Sequence, residues 1–353
     1  QGGLKLSSRN ICKRAVANPS LEMASSILVM DGGMGHELRR RGVQVQGVIG
    51  SVERFLGVAL ANTDTPQIVK EAHRAFIDAG AGVIITNNYA CIPAVVGEQV
   101  VSHIQAAGNV AREAVAGTSC IVAGSLPPLN ASYRHDLVGT EEQMAKDYKT
   151  IAETIAPFSD VLVCETMSKA CEAAAAYRAG LATGKPVWVS WTLSEKPDGT
   201  IISGETVEEA VAALGAEALV AAKNGSGGLQ ACLFNCSQVE SVDVALPRLR
   251  AVLPPHIRIG AYANGFQTVS VPPPPLPYEE NPDSPHRQGV KMLQGVPTEY
   301  RVDLTPKKYA DAAMHWAQEC GATIIGGCCG IFPDHIAAVA EAFATTHFAN
   351  EKA

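Results

Sequence analysis

Nowhere in this sequence do 18 apolar residues run together. Gly, Asn, Asp or Glu interrupts every greasy stretch within about ten residues, so no segment has the length of a membrane-spanning helix. Positive charge is in deficit too: 28 Lys and Arg stand against 35 Asp and Glu, a formal net charge of −7. A nucleic acid or an anionic membrane surface needs clustered cations, so the partner these counts leave is a small molecule. Aromatic residues make up only 5% of the chain, with three tryptophans, Trp188, Trp191 and Trp316. None of the nine histidines stands in an HExxH pattern, which removes that metalloprotease arrangement. Each reads as a surface or capping residue, His335 after Pro333 included. No repeat of solenoid period is visible, and no lysine falls at a strand end where a Schiff base would form. Acidic residues are missing before Glu22, while Lys5, Arg9, Lys13 and Arg14 precede it. Without an amphipathic pattern or a secretory signal, residues 1–24 read as a disordered N-terminal arm and the chain as cytoplasmic. No coiled-coil seam is present, so the sequence leaves the oligomeric state unread.

What is present is a long, moderately hydrophobic chain: 353 residues, 47% hydrophobic, with ten cysteines. That is enough to bury a full core. Several cysteines, among them Cys120, Cys164 and Cys232, lie inside apolar runs, as reduced core thiols do. Eight short apolar runs alternate with helical patterns: Ile27–Met30, Val83–Thr86, Ile121–Ala123, Val161–Cys164, Val187–Ser190, Ala231–Phe234, Ile257–Ala261 and Thr323–Ile325. Their apolar character is nearly continuous, as parallel strands buried on both faces require. Eight strand–helix units predict an α/β fold, a single (β/α)8 TIM barrel over residues 25–347. Thr65-Pro66 predicts a capped helix over 67–79 with Ile68, Ala72, Ala75, Phe76 and Ala79 on its apolar stripe. Thr305-Pro306 repeats the device before a helix closed by Gly321, and Thr140-Glu141-Glu142-Gln143 reads as a capping box. One Pro-rich insertion, at about 266–300 with four consecutive prolines at 272–275, breaks the rhythm after strand seven. A loop this long is a lid or a mobile segment.

Chemistry concentrates where strands should end. Gly326-Gly327-Cys328-Cys329-Gly330 closes strand eight and Asn235-Cys236 closes strand six, so three thiols converge on one rim. Zinc takes soft thiolates in a tetrahedral shell, and three protein ligands leave a corner open for substrate. Spacing alone keeps two alternatives open, a vicinal disulfide at Cys328-Cys329 and a phosphate cradle at Gly326-Gly327. Two acids also fall at strand ends, Asp31 after strand one and Glu165 after strand four. Asp31 would otherwise cap the next helix, and Glu165 would pair with Lys169 one turn on. Gly32 and Gly33 admit a substrate close to backbone amides or make a tight turn.

Taken together, Asp31-Gly32-Gly33, Asn235-Cys236 and Gly-Gly-Cys-Cys-Gly resemble the signature of the homocysteine S-methyltransferase family, over roughly Ile27 to Phe343. The resemblance implies an enzyme whose Cys236, Cys328 and Cys329 hold Zn2+, with the homocysteine sulfur in the open position and methionine as product. Coordination would strip the thiol proton, which is mostly retained at neutral pH in a free thiol. It further implies that Asp31 and Glu165 bind the substrate ammonium group beside Gly32 and Gly33, and that Tyr89 lies near the methyl donor. There the Tyr89 ring would face a cation or simply pack in the barrel. Asn87 and Asn88 would orient the amino-acid part of that donor. Around Gly50-Ser51-Val52 there is no tryptophan such as betaine-using members employ, which favours a sulfonium donor, S-methylmethionine or S-adenosylmethionine. Gly330-Ile331-Phe332, by contrast, is closer to the betaine-using pattern. The alternatives are a betaine-dependent homocysteine methyltransferase and a non-catalytic zinc or thiol redox sensor.

Overall fold

The structure is a computed structural model that describes residues 27–45, 52–130, 132–220, 227–267 and 300–350. The N-terminal arm, most of the Pro-rich insertion and the stretch around Gly50-Ser51 lie outside the described residues. Strands β1 (Leu28–Val29), β2 (Val83–Ile85), β3 (Ile121–Leu126), β4 (Val161–Met167), β5 (Pro186–Trp191), β6 (Gly228–Asn235), β7 (Arg258–Ala263) and β8 (Ile324–Gly327) form one all-parallel sheet. Their order runs β1-β8-β7-β6-β5-β4-β3-β2. A parallel bridge between Met30 and Val83 brings the two edges together and completes a (β/α)8 barrel. Each strand overlaps its expected run, and several continue further at the C-terminal end, so Glu165 sits inside β4 rather than after it. The final helix, Pro333–Asn350, runs past the expected boundary at 347. Among the described residues, no helix is long and apolar enough to cross a membrane.

Side-chain alternation divides the core in two. Met30, Val83, Ala123, Val161, Val163, Trp188, Ala231, Leu233, Tyr262 and Ile324 fill the barrel lumen. Alternate residues such as Leu162, Cys164, Val189 and Trp191 pack outward against the helices. Thr305 caps its helix through a bond from the Lys308 N–H, as expected. Thr140 accepts from the Gln143 N–H, but the Gln143 side chain turns to Asp147, so this box is only half formed. A full box stands instead at Thr206 and Glu209. Thr65 precedes Pro66 without a side-chain cap bond. That helix, Pro66–Asp78, buries Val69, Ala72, His73 and Phe76, a stripe rotated from the expected one. The rotation puts His73 at 0% exposure with neither ring nitrogen bonded among the described residues, and burial pushes its pKa down to about 3. His36 and His103 are buried as well, which corrects the reading of every histidine as surface or capping.

Candidate metal and substrate site

At the C-terminal rim of the barrel, β6 ends on Asn235 and the chain turns sharply at Cys236, whose φ of 50° is left-handed. Across β7, strand β8 ends on Gly326-Gly327 and delivers Cys328-Cys329. The Cys328 N–H bonds to the Ala263 carbonyl at 2.8 Å, and the Gly265 N–H bonds to the Cys329 carbonyl at the same distance. The three sulfurs lie within 4.8 Å of one another, with Cys236 Sγ 3.9 Å from Cys329 Sγ. All three are free thiols, so no vicinal disulfide forms. Neither do the glycines cradle an anion: a Cβ on Gly327 would come within 2.2 Å of Ile331 and one on Gly326 within 2.5 Å of Met30. Hydrogen bonds from Cys328 and Cys329 hold the Cys236 thiol well below its ordinary pKa despite burial, and Tyr133 adds to them. The Tyr133 hydroxyl donates to Cys236 Sγ at 2.8 Å. The hydrogen bonds of Cys328 with Cys236 and Cys329 push its own thiol up. In a tetrahedral shell with Zn–S bonds near 2.3 Å, neighbouring sulfurs would be about 3.8 Å apart. The observed 3.9 Å between Cys236 and Cys329 fits that shell, with one corner left for a ligand.

Sharing one cavity with Cys236 and Cys329 are Asp31 and Glu165, both buried. Asp31 Oδ2 accepts the Ile85 N–H at 2.9 Å and does not cap the next helix, whose start at Gly33 has no side-chain cap. Glu165 Oε1 accepts the Ser125 hydroxyl at 2.5 Å. Among the described residues neither acid forms an ion pair, with Lys169 or any other cation. Burial raises Asp31 well above the usual carboxylate range, with the charge of Glu165 adding to it. Burial likewise raises Glu165 to about 7, assisted by Cys236 and opposed by the Ser125 bond. Two desolvated acids without a counter-ion are costly unless a cation arrives.

Gly32 and Gly33 also line the cavity. A Cβ on Gly32 would meet the Ile331 carbonyl oxygen at 2.4 Å, and one on Gly33 the Cys328 carbonyl oxygen at 2.7 Å. These glycines therefore let the β1 loop press against the cysteine loop. Tyr89 is in the wall, its hydroxyl 2.6 Å from Ser132 Oγ and its ring 6.1 Å from that of Phe55. Asn87 also lines the cavity, but its amide donates to Val58 and Asn62. Asn88 is not a wall residue: its side chain is fully buried between Thr86 and the Ser125 carbonyl. Cys328 sits behind Cys236 and Cys329, packed against the lumen. Sequence reasoning missed Phe55, Tyr133, Tyr262 and Phe266, all in the wall. Period-two alternation on β7 was the available signal for Tyr262. The loop-borne Tyr133 gave none. Trp191, which alternation places opposite Trp188, is buried in the outer core and does not reach the cavity.

A sequence profile described as homocysteine S-methyltransferase matches residues 28–343. The chain belongs to the homocysteine S-methyltransferase family. Its relatives include the homocysteine S-methyltransferase of Escherichia coli (strain K12), 27% identical over 89% of this chain and 94% of that protein. Methionine synthase of Mycobacterium leprae (strain TN) is 25% identical over 91% of this chain but only 25% of its own length. Among solved structures, the E. coli homocysteine methyltransferase MmuM in its metallated form superposes with a TM-score of 0.68 at 24% identity, covering 92% of this chain and 98% of that one. Its apo form gives 0.63. At that identity the superposition speaks for the barrel. In this family member, the motif residues Asp31, Gly32, Gly33, Cys236 and Cys329 meet in one cavity although they come from β1, β6 and β8.

Proposed function

We propose that this homocysteine S-methyltransferase family member transfers a methyl group from a sulfonium donor, S-methylmethionine or S-adenosylmethionine, to the sulfur of homocysteine. The product is methionine, and Cys236, Cys328 and Cys329 hold a zinc ion. One observation carries the reading: two thiols of the three-cysteine cluster, Cys236 and Cys329, share a single cavity with two buried carboxylates that have no counter-ion among the described residues. Homocysteine is complementary to that arrangement, with a thiol at one end and an ammonium at the other. Zinc, when bound, would supply a Lewis acid that takes the place of the thiol proton and keeps the sulfur nucleophilic near neutral pH. Asp31 and Glu165 bind the ammonium, and the resulting charge neutralisation returns both to their ionised forms. Gly32 and Gly33 keep the substrate backbone close to the cysteine loop. Tyr89 and Phe55 offer aromatic surface to the cationic donor. The new bond joins carbon to the homocysteine sulfur, the donor's C–S bond breaks, and the donor leaves as a neutral thioether. A redox sensor would have no need of the two acids.

The walls of the cavity favour a second donor. Tyr89 is accompanied by Phe55, Tyr133, Tyr262 and Phe266, more aromatic surface than the sequence suggested, and a quaternary ammonium is held through such faces. Methionine formation from homocysteine, measured on zinc-loaded protein with each donor at equal concentration, separates the two. We expect S-methylmethionine or S-adenosylmethionine to outpace betaine. Turnover with betaine and none with either sulfonium compound would reassign the donor while leaving the acceptor reading intact.

A further inference from the structure

Strand β4 breaks its own alternation at the site. Val161 and Val163 face the lumen while Leu162 and Cys164 face the helices. A regular strand would then turn Glu165 inward, Thr166 outward and Met167 inward. Instead Glu165 and Thr166 both line the cavity, and Met167 packs in the outer core. Against β5, Cys164 pairs with Val189 but Met167 pairs with Trp191, so two residues of β4 stand opposite one of β5. This is a bulge, a device that re-aims side chains at strand ends. Its cost is visible at Thr166, where φ is 57°, a left-handed value that a β-branched residue rarely takes.

Asn235 holds that conformation. Its Oδ1 accepts the Thr166 N–H at 2.7 Å and the Ser190 hydroxyl at 2.7 Å, and its Nδ2 donates to Thr166 Oγ1 at 2.7 Å. Asn235, Ser190 and Thr166 are all almost completely buried, where such bonds gain most and are expensive to lose. The following residue is Cys236, itself left-handed. One amide side chain thus joins the bulge that carries Glu165 to the turn that carries Cys236.

We propose that Asn235 is a positioning residue: alternation already turns Glu165 inward, and by clamping Thr166 in the left-handed region Asn235 fixes the backbone immediately after Glu165 and keeps the ammonium end of the site in register with the thiol end. The substrate named here rests on the functional reading above, but the clamp does not. Asn235→Ala should raise the homocysteine KM about tenfold, the scale set by a non-glycine left-handed penalty, with a smaller change in kcat. Glycine accepts positive φ without strain, so Asn235→Ala/Thr166→Gly should recover most of that KM. Simple destabilisation would not be repaired this way. An unchanged homocysteine KM in Asn235→Ala, or no recovery in the double variant, overturns the proposal. Ser190→Ala, which removes one contact only, should shift KM in the same direction by less and serves if Asn235→Ala does not fold; an unchanged KM there counts against the clamp. A crystal structure of Asn235→Ala decides without any turnover. Residue 166 relaxed to negative φ supports the clamp, and residue 166 still left-handed refutes it. Absence of methionine formation by the wild-type protein would refute the functional reading alone.

Discussion

Replacing Cys236 by alanine should remove zinc and methionine formation together. Its sulfur is the one the cluster ionises first, because thiol and phenol hydrogen bonds converge on it, and it is the only one of the three that comes from β6. Without it the pair Cys328-Cys329 is left, two adjacent residues of one turn that cannot close a tetrahedral shell. Metal analysis after dialysis against a weak chelator should fall from near one zinc per chain to a small fraction. The rate should fall by more than the 10–100-fold that typically follows loss of a residue merely buttressing a ligand, roughly speaking. Cys171→Ala and Cys320→Ala serve as controls. Cys171 is exposed on the helix Ala170–Ala182, and Cys320 lies in the turn after the helix Pro306–Gln318. Full zinc content in the Cys236→Ala protein would sink the three-thiolate assignment.

Asp31→Asn and Glu165→Gln should each raise the homocysteine KM while leaving zinc bound. An amide keeps the shape of the acid but loses its charge, and a charge-assisted contact contributes about 1.5–3 kcal/mol, or about ten- to over a hundredfold in affinity. Stability should move the opposite way for Glu165. Its pKa is raised from 4.5 to about 7 by burial, so its stabilising contribution is complete below pH 4.5 and lost as pH rises through 7. That loss is on the order of 3 kcal/mol. Glu165→Gln should therefore melt higher than wild type at pH 8 and close to it near pH 4.5. Homocysteine binding prefers the ionised carboxylate, so the wild-type KM should fall between pH 6 and 8, and the Glu165 contribution to that slope should vanish in the glutamine variant. A KM unchanged in both variants would remove these acids from the substrate site.

The strand pattern of the barrel was legible because burial on both faces writes a continuous apolar run into each strand, and eight such runs admit few other folds. Cysteine placement was legible for the same reason: Cys236 and Cys328 come within three residues of the ends of runs that define one rim. What escaped was everything set by backbone irregularity. The bulge at Glu165 and Thr166 costs strain that no residue type in Cys-Glu-Thr-Met announces, and it depends on Asn235, 69 positions away. Asn88 looked like a rim residue because it follows β2, yet its amide is consumed by Thr86 and Ser125. The aromatic wall was undercounted because Phe55 and Tyr133 arrive from a helix and a loop with no motif around them. Trp191 ends β5 at the rim, yet period two turns it into the outer core and away from the cavity.

Strand β1 has only two residues and β2 only three, against eight in β6, and a single bridge from Met30 to Val83 joins the first two. The barrel thus has a seam, and local opening should begin there, since stability within a fold is lowest where pairing is thinnest. Asp31 stands on one lip of that seam and takes its hydrogen bond from Ile85 on the other. Glu165 and the cysteines belong to the well-paired side. An amino acid held between them would act as a brace across the weakest line of the wall, so that filling the cavity also tightens the protein that surrounds it.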